Sequence, residues 1–409
     1  MGGHATKQMA VRVIRRLRSA GHEALLAGGC VRDMLLGIRP ADYDVATSAT
    51  PQQVRELFGR VLMVGAKFGV AMVLFDRRRV EVTTFRCDVS YSDGRRPDSV
   101  RFVTAREDAS RRDFTINGMF YDPLADRVVD YVGGRQDLAA RVVRAIGDAL
   151  QRFDEDYLRM LRAVRFAARF GFAIEPNTEQ ALRRLAARIT QISGERIREE
   201  LEKMLARPTG AQAVQKLHEL GLLRAVLPEL YASTSAWPAA QRRLLAVAPR
   251  ADVTLNLAAL LAGLPGGDLA RIIRRWGGSN ELRGGLVWLA QNLHEWGRLA
   301  DGPLAEIKKR MANRHWPILL ALWRLEEPAQ TGHDEHCRII GRRIRGIAPA
   351  QAMPPPLVSG DDLQALGFKP GRRLGDILRR LYDAQLNGEF PDRPAALSAA
   401  RALVRRSEE

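Results

Sequence analysis

Asp42-Tyr43-Asp44 sets two carboxylates two residues apart, the spacing at which an extended chain turns both side chains to one side. Acids held that close repel each other unless cations sit between them. Magnesium takes one or two carboxylates and completes its shell with phosphate oxygens and water. Two such ions about 3.5–4 Å apart suit an in-line displacement at phosphorus, activating a hydroxyl and steadying a leaving pyrophosphate. Asp-X-Asp also occurs in turns and solvated loops, so the pair needs companions. Glu81, alternating with Val80 and Val82, is a candidate third carboxylate, with an exposed strand glutamate as its competing reading.

Phosphate-binding companions lie on either side. Gly28-Gly29 falls where a short apolar strand gives way to a helix. Glycine there lets the backbone approach a phosphate, and a helix N-terminus offers unpaired N–H groups. Arg32 in the first turn reaches the same place, and Asp33 can brace it. The glycine spacing fits neither a Walker P-loop nor a dinucleotide fingerprint. Further on, Arg111-Arg112-Asp113-Phe114-Thr115-Ile116-Asn117 gathers two cations, an acid and an amide. Arg112 suits a triphosphate, Asp113 a ribose hydroxyl, and Asn117 the orientation of its neighbours. A surface charge cluster is the alternative.

Glu155-Asp156-Tyr157-Leu158-Arg159 is expected to open a long helix running to about Phe170. Asp156 and Arg159 would then be one turn apart and project together. Cytosine and adenine both place an amino donor beside a ring-nitrogen acceptor, which a carboxylate next to a guanidinium matches. Uracil and guanine reverse that order. A buried polar group left mispaired costs ~1–3 kcal/mol, so such a pair would reject them. An ordinary helix salt bridge, worth a few tenths of a kcal/mol, is the competing reading. Arg162, Arg165 and Arg169 continue along the helix as an arginine ladder for phosphates, or as a solvated basic face.

The elements that must position these residues change character along the chain. Residues 8–20 read as a basic amphipathic helix with Met9, Val13, Leu17 and Ala20 near one stripe. Ala24–Ala27 and Asp42–Val45 read as strands, and Thr50-Pro51 as the start of a helix to Phe58. Val70–Phe75 and Val80–Phe85 read as a hairpin, and Val100–Val103 and Val128–Val132 as further extended segments. The first 150 residues are thus mixed α/β with an antiparallel or mixed sheet. After Leu150 the periodicity is helical with almost no strand signal, and four prolines in Ala348–Pro356 mark a linker. The polar run Arg86–Asp98 reads as a loop able to close over a substrate.

Length and composition agree with an enzyme acting on a polyanion. The 409 residues suggest two to four units. A hydrophobic share of 46% supplies real cores. The formal net charge of +17 favours nucleic acid, with solubility as the alternative. No apolar run reaches spanning length, and the N-terminus lacks a signal peptide's pattern. Cys30, Cys87 and Cys337, odd in number and far apart, read as free thiols in a reducing cytoplasm. His333-Asp334-Glu335-His336 places histidines at i and i+3 with no other ligand cluster beside them, so a surface turn or helix start is expected.

Together the segments Leu26–Gly37, Asp42–Thr47, Arg111–Met119, Asp130–Leu138 and Glu155–Phe172 resemble the class II tRNA nucleotidyltransferase and bacterial poly(A) polymerase family. Glu195–Leu201 resembles the family's last shared helix. The resemblance is close over about the first 230 residues and looser over Val358–Asn387. It implies an α+β fold with a catalytic head at 1–150, a helical neck at 151–207, a body at 208–300 and a tRNA-binding tail at 301–409. It also implies that Gly28, Gly29, Arg32, Asp33, Arg111, Arg112, Asp113 and Asn117 bind the nucleotide. Asp42 and Asp44, with Glu81 as a candidate third, would hold two Mg²⁺ ions. Asp156 and Arg159 would select the incoming C or A, assisted by Arg162 and Arg165. Val64–Gly69 and the loop around Asp93–Pro97 resemble the form that adds C, C and A to tRNA from CTP and ATP. Single-nucleotide A addition and poly(A) addition are the implied alternatives, and a non-catalytic RNA-binding protein on the same scaffold is the alternative of another class. Gly118 stands where the family usually has alanine, and Cys30 in a slot for a small residue.

Overall fold

A computed structural model describes residues 6–63, 68–76, 78–88, 100–348 and 351–405. Backbone contacts divide the chain into two units, residues 1–234, 248–256 and 274–277 in the first and the remainder in the second.

The first unit begins with α1 (Lys7–Ser19), capped by the Thr6 hydroxyl. It buries Ala10, Val13, Ile14 and Leu17, each large side chain contributing about 1.5–3 kcal/mol. The buried stripe is therefore rotated from the expected one, and Ala20 is exposed. There follow β1 (Ala24–Ala27), α2 (Gly29–Leu35), β2 (Val45–Thr47), α3 (Pro51–Leu57), β3 (Val61–Leu62), β4 (Val70–Phe75) and β5 (Arg78–Thr84). Next come β6 (Arg86–Asp88), β7 (Val100–Phe102), α4 (Ala105–Ser110), β8 (Phe120–Asp122), β9 (Arg127–Val129), α5 (Gly134–Ala139) and β10 (Val142–Val143). Seven strands form one sheet in the order β3-β4-β5-β2-β1-β8-β9. Its pairings are antiparallel except β2 with β5. This is the mixed sheet expected from sequence. One face carries a core of Leu25, Ala27, Ala46, Phe85, Ala105, Ala109 and Phe120.

Helices then take over: α6 (Ala149–Glu155), α7 (Leu158–Phe170), a two-residue β11 (Ala173–Ile174), α8 (Pro176–Leu185), α9 (Gly194–Leu205), α10 (Gly210–Glu219) and α11 (Leu222–Val226). Three expectations need correction. Strand β2 starts at Val45, so Asp42 and Asp44 precede it, outside the strand. The strand runs only where Val45-Ala46-Thr47 can be buried between β1 and β5, a setting that two carboxylates cannot share. Second, the region after residue 150 is not purely helical, since β11 pairs in parallel with β10. Third, Glu155–Arg159 does not open one continuous helix. Asp156 is extended (φ −156°, ψ 102°), and its carboxylate accepts the Leu158 N–H at 3.1 Å, closing α6 and starting α7. Aspartate competes for backbone N–H groups in this way and so favours caps over helix interiors.

The second unit is helical. With α12 (Ala236–Val247) at its start, α13 (Val253–Leu261) and α14 (Gly266–Arg275) straddle the division. The remainder comprises α15 (Asn280–Asn292), α16 (Trp296–Asp301), α17 (Leu304–Met311), α18 (Trp316–Thr331), α19 (Glu335–Arg343), α20 (Gly360–Ala365), α21 (Arg372–Asn387) and α22 (Arg393–Arg405). Trp316 and Trp323 lie buried edge-to-face in it, as core tryptophans do. No described helix is long and apolar enough to cross a membrane.

Candidate active site

A cleft of about 530 Å³ in the first unit gathers most of the residues singled out in the sequence. Gly28, Gly29, Arg32, Asp44, Glu81, Arg111, Arg112, Asp113, Asn117, Asp156, Arg159, Arg162 and Arg165 all line it. Asp33 and Asp42 do not. Asp33 is buried behind Arg32, and Asp42 stands exposed at the end of the segment leading into β2.

The carboxylates form one corner. Strands β2 and β5 run parallel with Val45 opposite Val82, so one residue back Asp44 comes level with Glu81. Burial, reinforced by Glu81 and Asp42, pushes the Asp44 carboxyl up to about 7. Glu81 is raised by burial and then by Asp42. Among the described residues none of the three has an ion-pair partner. That crowding fits divalent metal. Beneath them the Cys30 thiol, buried and facing Asp44, is pushed up to about 12 and stays protonated at neutral pH.

The opposite wall is basic and internally matched. Arg32 donates to Asp33 Oδ1 from Nε and Nη2 at 2.9 and 2.6 Å, and to Asn117 Oδ1 from Nη1 at 2.5 Å. Asn117 in turn donates to Asp113 Oδ1 at 2.9 Å, which also accepts the Phe114 N–H. Asp113 Oδ2 receives Arg162 Nε at 2.8 Å and Nη2 at 2.7 Å. Burial alone would raise the Asp113 carboxyl, but Arg162 and Asn117 outweigh it and pull it down to about 2. Arg169 reaches Asp33 at 3.1 Å, and Arg165 reaches the buried Glu200 of α9 at 2.6 Å. Phe166 is the hub, with Arg32, Arg162 and Arg165 at 5.0, 5.3 and 4.4 Å from its ring centre.

Arg111 and Arg112 share Asp108, at 2.7 and 2.9 Å. The turn at Gly28 has φ +71°, which calls for glycine, and a Cβ there would come within 2.8 Å of Arg112 Nη1 and displace the tip of that guanidinium. Gly118 is also tight: a Cβ would meet Val132 Cγ2 at 2.6 Å, so the alanine usual in this slot would need Val132 to shift.

The corner at Asp156 and Arg159 departs from expectation. Asp156 and Arg159 both line the cleft but are not each other's partners. Asp156 Oδ2 pairs with Arg196 of α9 at 2.9 Å. Arg159 pairs with Glu155 at 2.6 Å and donates to the Arg152 carbonyl at 2.9 Å. The break at Asp156 removes the helical spacing that would have joined them. An ordinary i,i+3 salt bridge is thereby overturned as the reason for the two residues.

Comparison with known proteins agrees with this architecture. A family model described as "Poly A polymerase head domain" matches residues 24–144, and one described as "Probable RNA and SrmB- binding site of polymerase A" matches 171–233. A CCA-adding enzyme of Lactobacillus helveticus is 32% identical over 404 residues, covering 95% of each chain. The chain belongs to the CCA-adding enzyme and poly(A) polymerase family. Several other curated members match over about half of their length. The CCA-adding enzyme of Geobacillus stearothermophilus is 45% identical over 224 residues, 54% of this chain and 55% of its own. Poly(A) polymerase I of Salmonella typhi is 44% identical over 232 residues, 54% of this chain and 50% of its own. Among solved structures, that of the Bacillus stearothermophilus CCA-adding enzyme in complex with CTP superposes with a TM-score of 0.71 at 30% identity, covering 98% of both chains.

In this member of the family, Asp156 and all of α7 fall between the two matched regions. Sequence reasoning passed over Asp108 and Arg152, saw Glu155 only as the start of its motif, and saw Arg196 and Glu200 only as part of a shared helix. Asp108 was legible three and four residues ahead of Arg111 and Arg112, a helical spacing. Arg196 and Glu200 carried the signal of a shared segment without an assigned partner. Val64–Lys67 and the loop around Asp93–Pro97, which bear on the choice between activities, lie outside the described residues.

Proposed function

We propose that this chain adds C, C and A to the 3′ end of tRNA, from CTP and ATP and without a nucleic-acid template. The observation that carries the reading is the likeness to a CCA-adding enzyme along 95% of both chains. The cleft supports it, joining a metal-ready carboxylate corner to an arginine wall and a base-facing pair. Asp42 and Asp44, with Glu81 beside them, would hold Mg²⁺. Bound there, the metal would supply charge stabilisation to the phosphoryl oxygens and lower the pKa of the attacking hydroxyl.

The chain's own residues do the positioning. Gly28 and Gly29 let phosphates approach the backbone, and Arg32 and Arg112 face them with guanidiniums already aimed by Asp33, Asn117 and Asp108. Aiming donors before the substrate arrives avoids reorganisation during reaction. Phe114 N–H, Asn117 and Arg162 fill the acceptor sites of Asp113. Its role is therefore to orient Arg162, and it meets a ribose hydroxyl only if Arg162 swings away. Each Asp156 oxygen spends one acceptor site inside the protein, on Leu158 N–H or Arg196. A lone pair remains for the amino group of cytosine or adenine, while Arg159 donates to the adjoining ring nitrogen.

The helical remainder would serve as neck, body and tail for tRNA, and the three free cysteines accord with a cytoplasmic setting. The test is incubation with tRNA ending before CCA, in C or in CC, with single labelled nucleotides and magnesium. Ordered addition of C, C and A is expected, and no incorporation of either nucleotide refutes the proposal. The 44% identity of the head to a poly(A) polymerase favours a second reading. Long A tails on arbitrary RNA would select it.

A further inference from the structure

Two adjacent glutamates near the end of α18 are both buried, and they are balanced in different ways. Glu326 faces Arg243 and Arg242 at 3.2 and 3.1 Å. Among the described residues Glu327, with no exposed side-chain surface, has only imidazoles as ion-pair partners: His336 Nδ1 at 2.8 Å and His333 Nδ1 at 3.7 Å. Its Oε1 and Oε2 also accept the backbone N–H groups of His336 and Cys337, each at 2.8 Å, at the start of α19. The Cys337 thiol donates to the same carboxylate. A buried carboxylate is normally matched by a full charge or by a metal, and the side chains facing this one are two imidazoles and a thiol, all of them metal-ligand types.

The sequence set His333 and His336 aside because no third ligand was visible. The third is Glu327, brought in by the turn from α18 back into α19. One ligand atom from each of the three lies within 4.8 Å of the others, and the two imidazole centres are 5.7 Å apart. We propose that Glu327, His333 and His336 form a binding site for a divalent transition metal of the zinc type, clasping the end of α18 to the start of α19. Two imidazoles and a carboxylate are a donor set that zinc accepts with water in the fourth position, and imidazole disfavours magnesium and calcium. Bonds of 2.0–2.2 Å to zinc set the ligand atoms roughly 3.4 Å apart, so the His336–Glu327 pair at 2.8 Å must open and His333 at 3.7 Å must close. His333 is half exposed and can move by that amount. A neighbouring open cavity lined by His333, Asp334 and Cys337 gives the ion a way in. The ion would replace the imidazole–carboxylate hydrogen bond while leaving the helix cap on the remaining lone pairs.

The test uses the full chain, stripped with chelator, loaded with zinc sulfate and desalted. Because the carboxylates of the cleft can also take up metal, the decisive comparison is with His333→Ala/His336→Ala, whose substitutions are at accessible positions. Wild type should retain one zinc more per chain than the double variant by elemental analysis. Zinc should raise its thermal midpoint, an increase lost in the variant. Cobalt(II) should give visible bands of a nitrogen-ligated ion in wild type and in Asp42→Asn/Asp44→Asn, but not in the histidine variant. Equal zinc uptake by wild type and the histidine variant overturns the proposal, as does the same cobalt spectrum in both.

Discussion

The two walls of the cleft solve opposite electrostatic problems. On one, Asp44 and Glu81 crowd together, with Asp42 close by outside the lining, and burial with mutual repulsion raises the Asp44 carboxyl to about 7. On the other, Arg32, Asn117, Asp113 and Arg162 form a chain in which each polar group already has a partner. The first wall gathers acids that have no ion-pair partner among the described residues, and under the proposed function a divalent ion would complete it. The second is finished by the protein, so its guanidiniums stand in fixed directions before any phosphate arrives. A site that transfers a nucleotide needs both: a place where charge is missing and a place where charge is held still.

The largest effect should come from the incomplete wall. Asp44→Ala or Asp42→Ala removes charge stabilisation worth several kcal/mol, so nucleotide incorporation should fall on the order of 10³-fold or more. RNA binding measured by filter retention should survive, and thermal stability should stay level or rise because repulsion is relieved. Loss of stability comparable to a buried-pair deletion would break the contrast.

Asp113→Asn should do the reverse, costing about 2 kcal/mol of stability in denaturant titrations at neutral pH, since it leaves the part-exposed Arg162 without its buried partner charge. The Asp113 carboxyl sits at about 2, below the ordinary value near 3.9. Its contribution is therefore fully present above about pH 4 and is lost as pH falls through about 2. The gap between wild type and variant should close over that interval, and a constant gap would show that the charge is not what matters.

Smaller effects are expected at the base-facing corner. Asp156→Ala should reduce discrimination of C and A over U and G by ~10–100-fold in single-nucleotide incorporation, the equivalent of one mispaired buried group. Unchanged selectivity would remove Asp156 from base choice. Arg196→Gln leaves the carboxylate in place but frees it to rotate, so selectivity should soften by less than about tenfold with little change in turnover with CTP. A larger loss than in Asp156→Ala would make Arg196 the reader itself.

Much of this was legible residue by residue. The apolar run Ala24–Ala27 before Gly28-Gly29 marked β1 and its turn, and Thr50-Pro51 marked α3 with its capping box. The alternation around Glu81 placed it on a strand. Asp156 was legible as a functional acid but misplaced, because a helical pattern continues across it on both sides. Only the competition between its side chain and the helix for the Leu158 N–H breaks the run. Glu327 was illegible for another reason: it lies within an apolar helix, and nothing local says which loop will fold back onto it.

By itself the sequence determined the kinds of group available and their local direction. These are two acids beside the start of a strand, a glycine turn against a helix, an arginine-rich helix, and the change from sheet to helices near residue 150. Only the tertiary structure decided who partners whom. Arg32 meets Asn117 across 85 residues, Asp113 meets Arg162 across 49, and Asp156 meets Arg196 across 40 in place of its neighbour Arg159. Hydrogen bonds and ion pairs act over about 3 Å. Their partners are therefore fixed by packing of the sheet and helices, which no local spacing encodes.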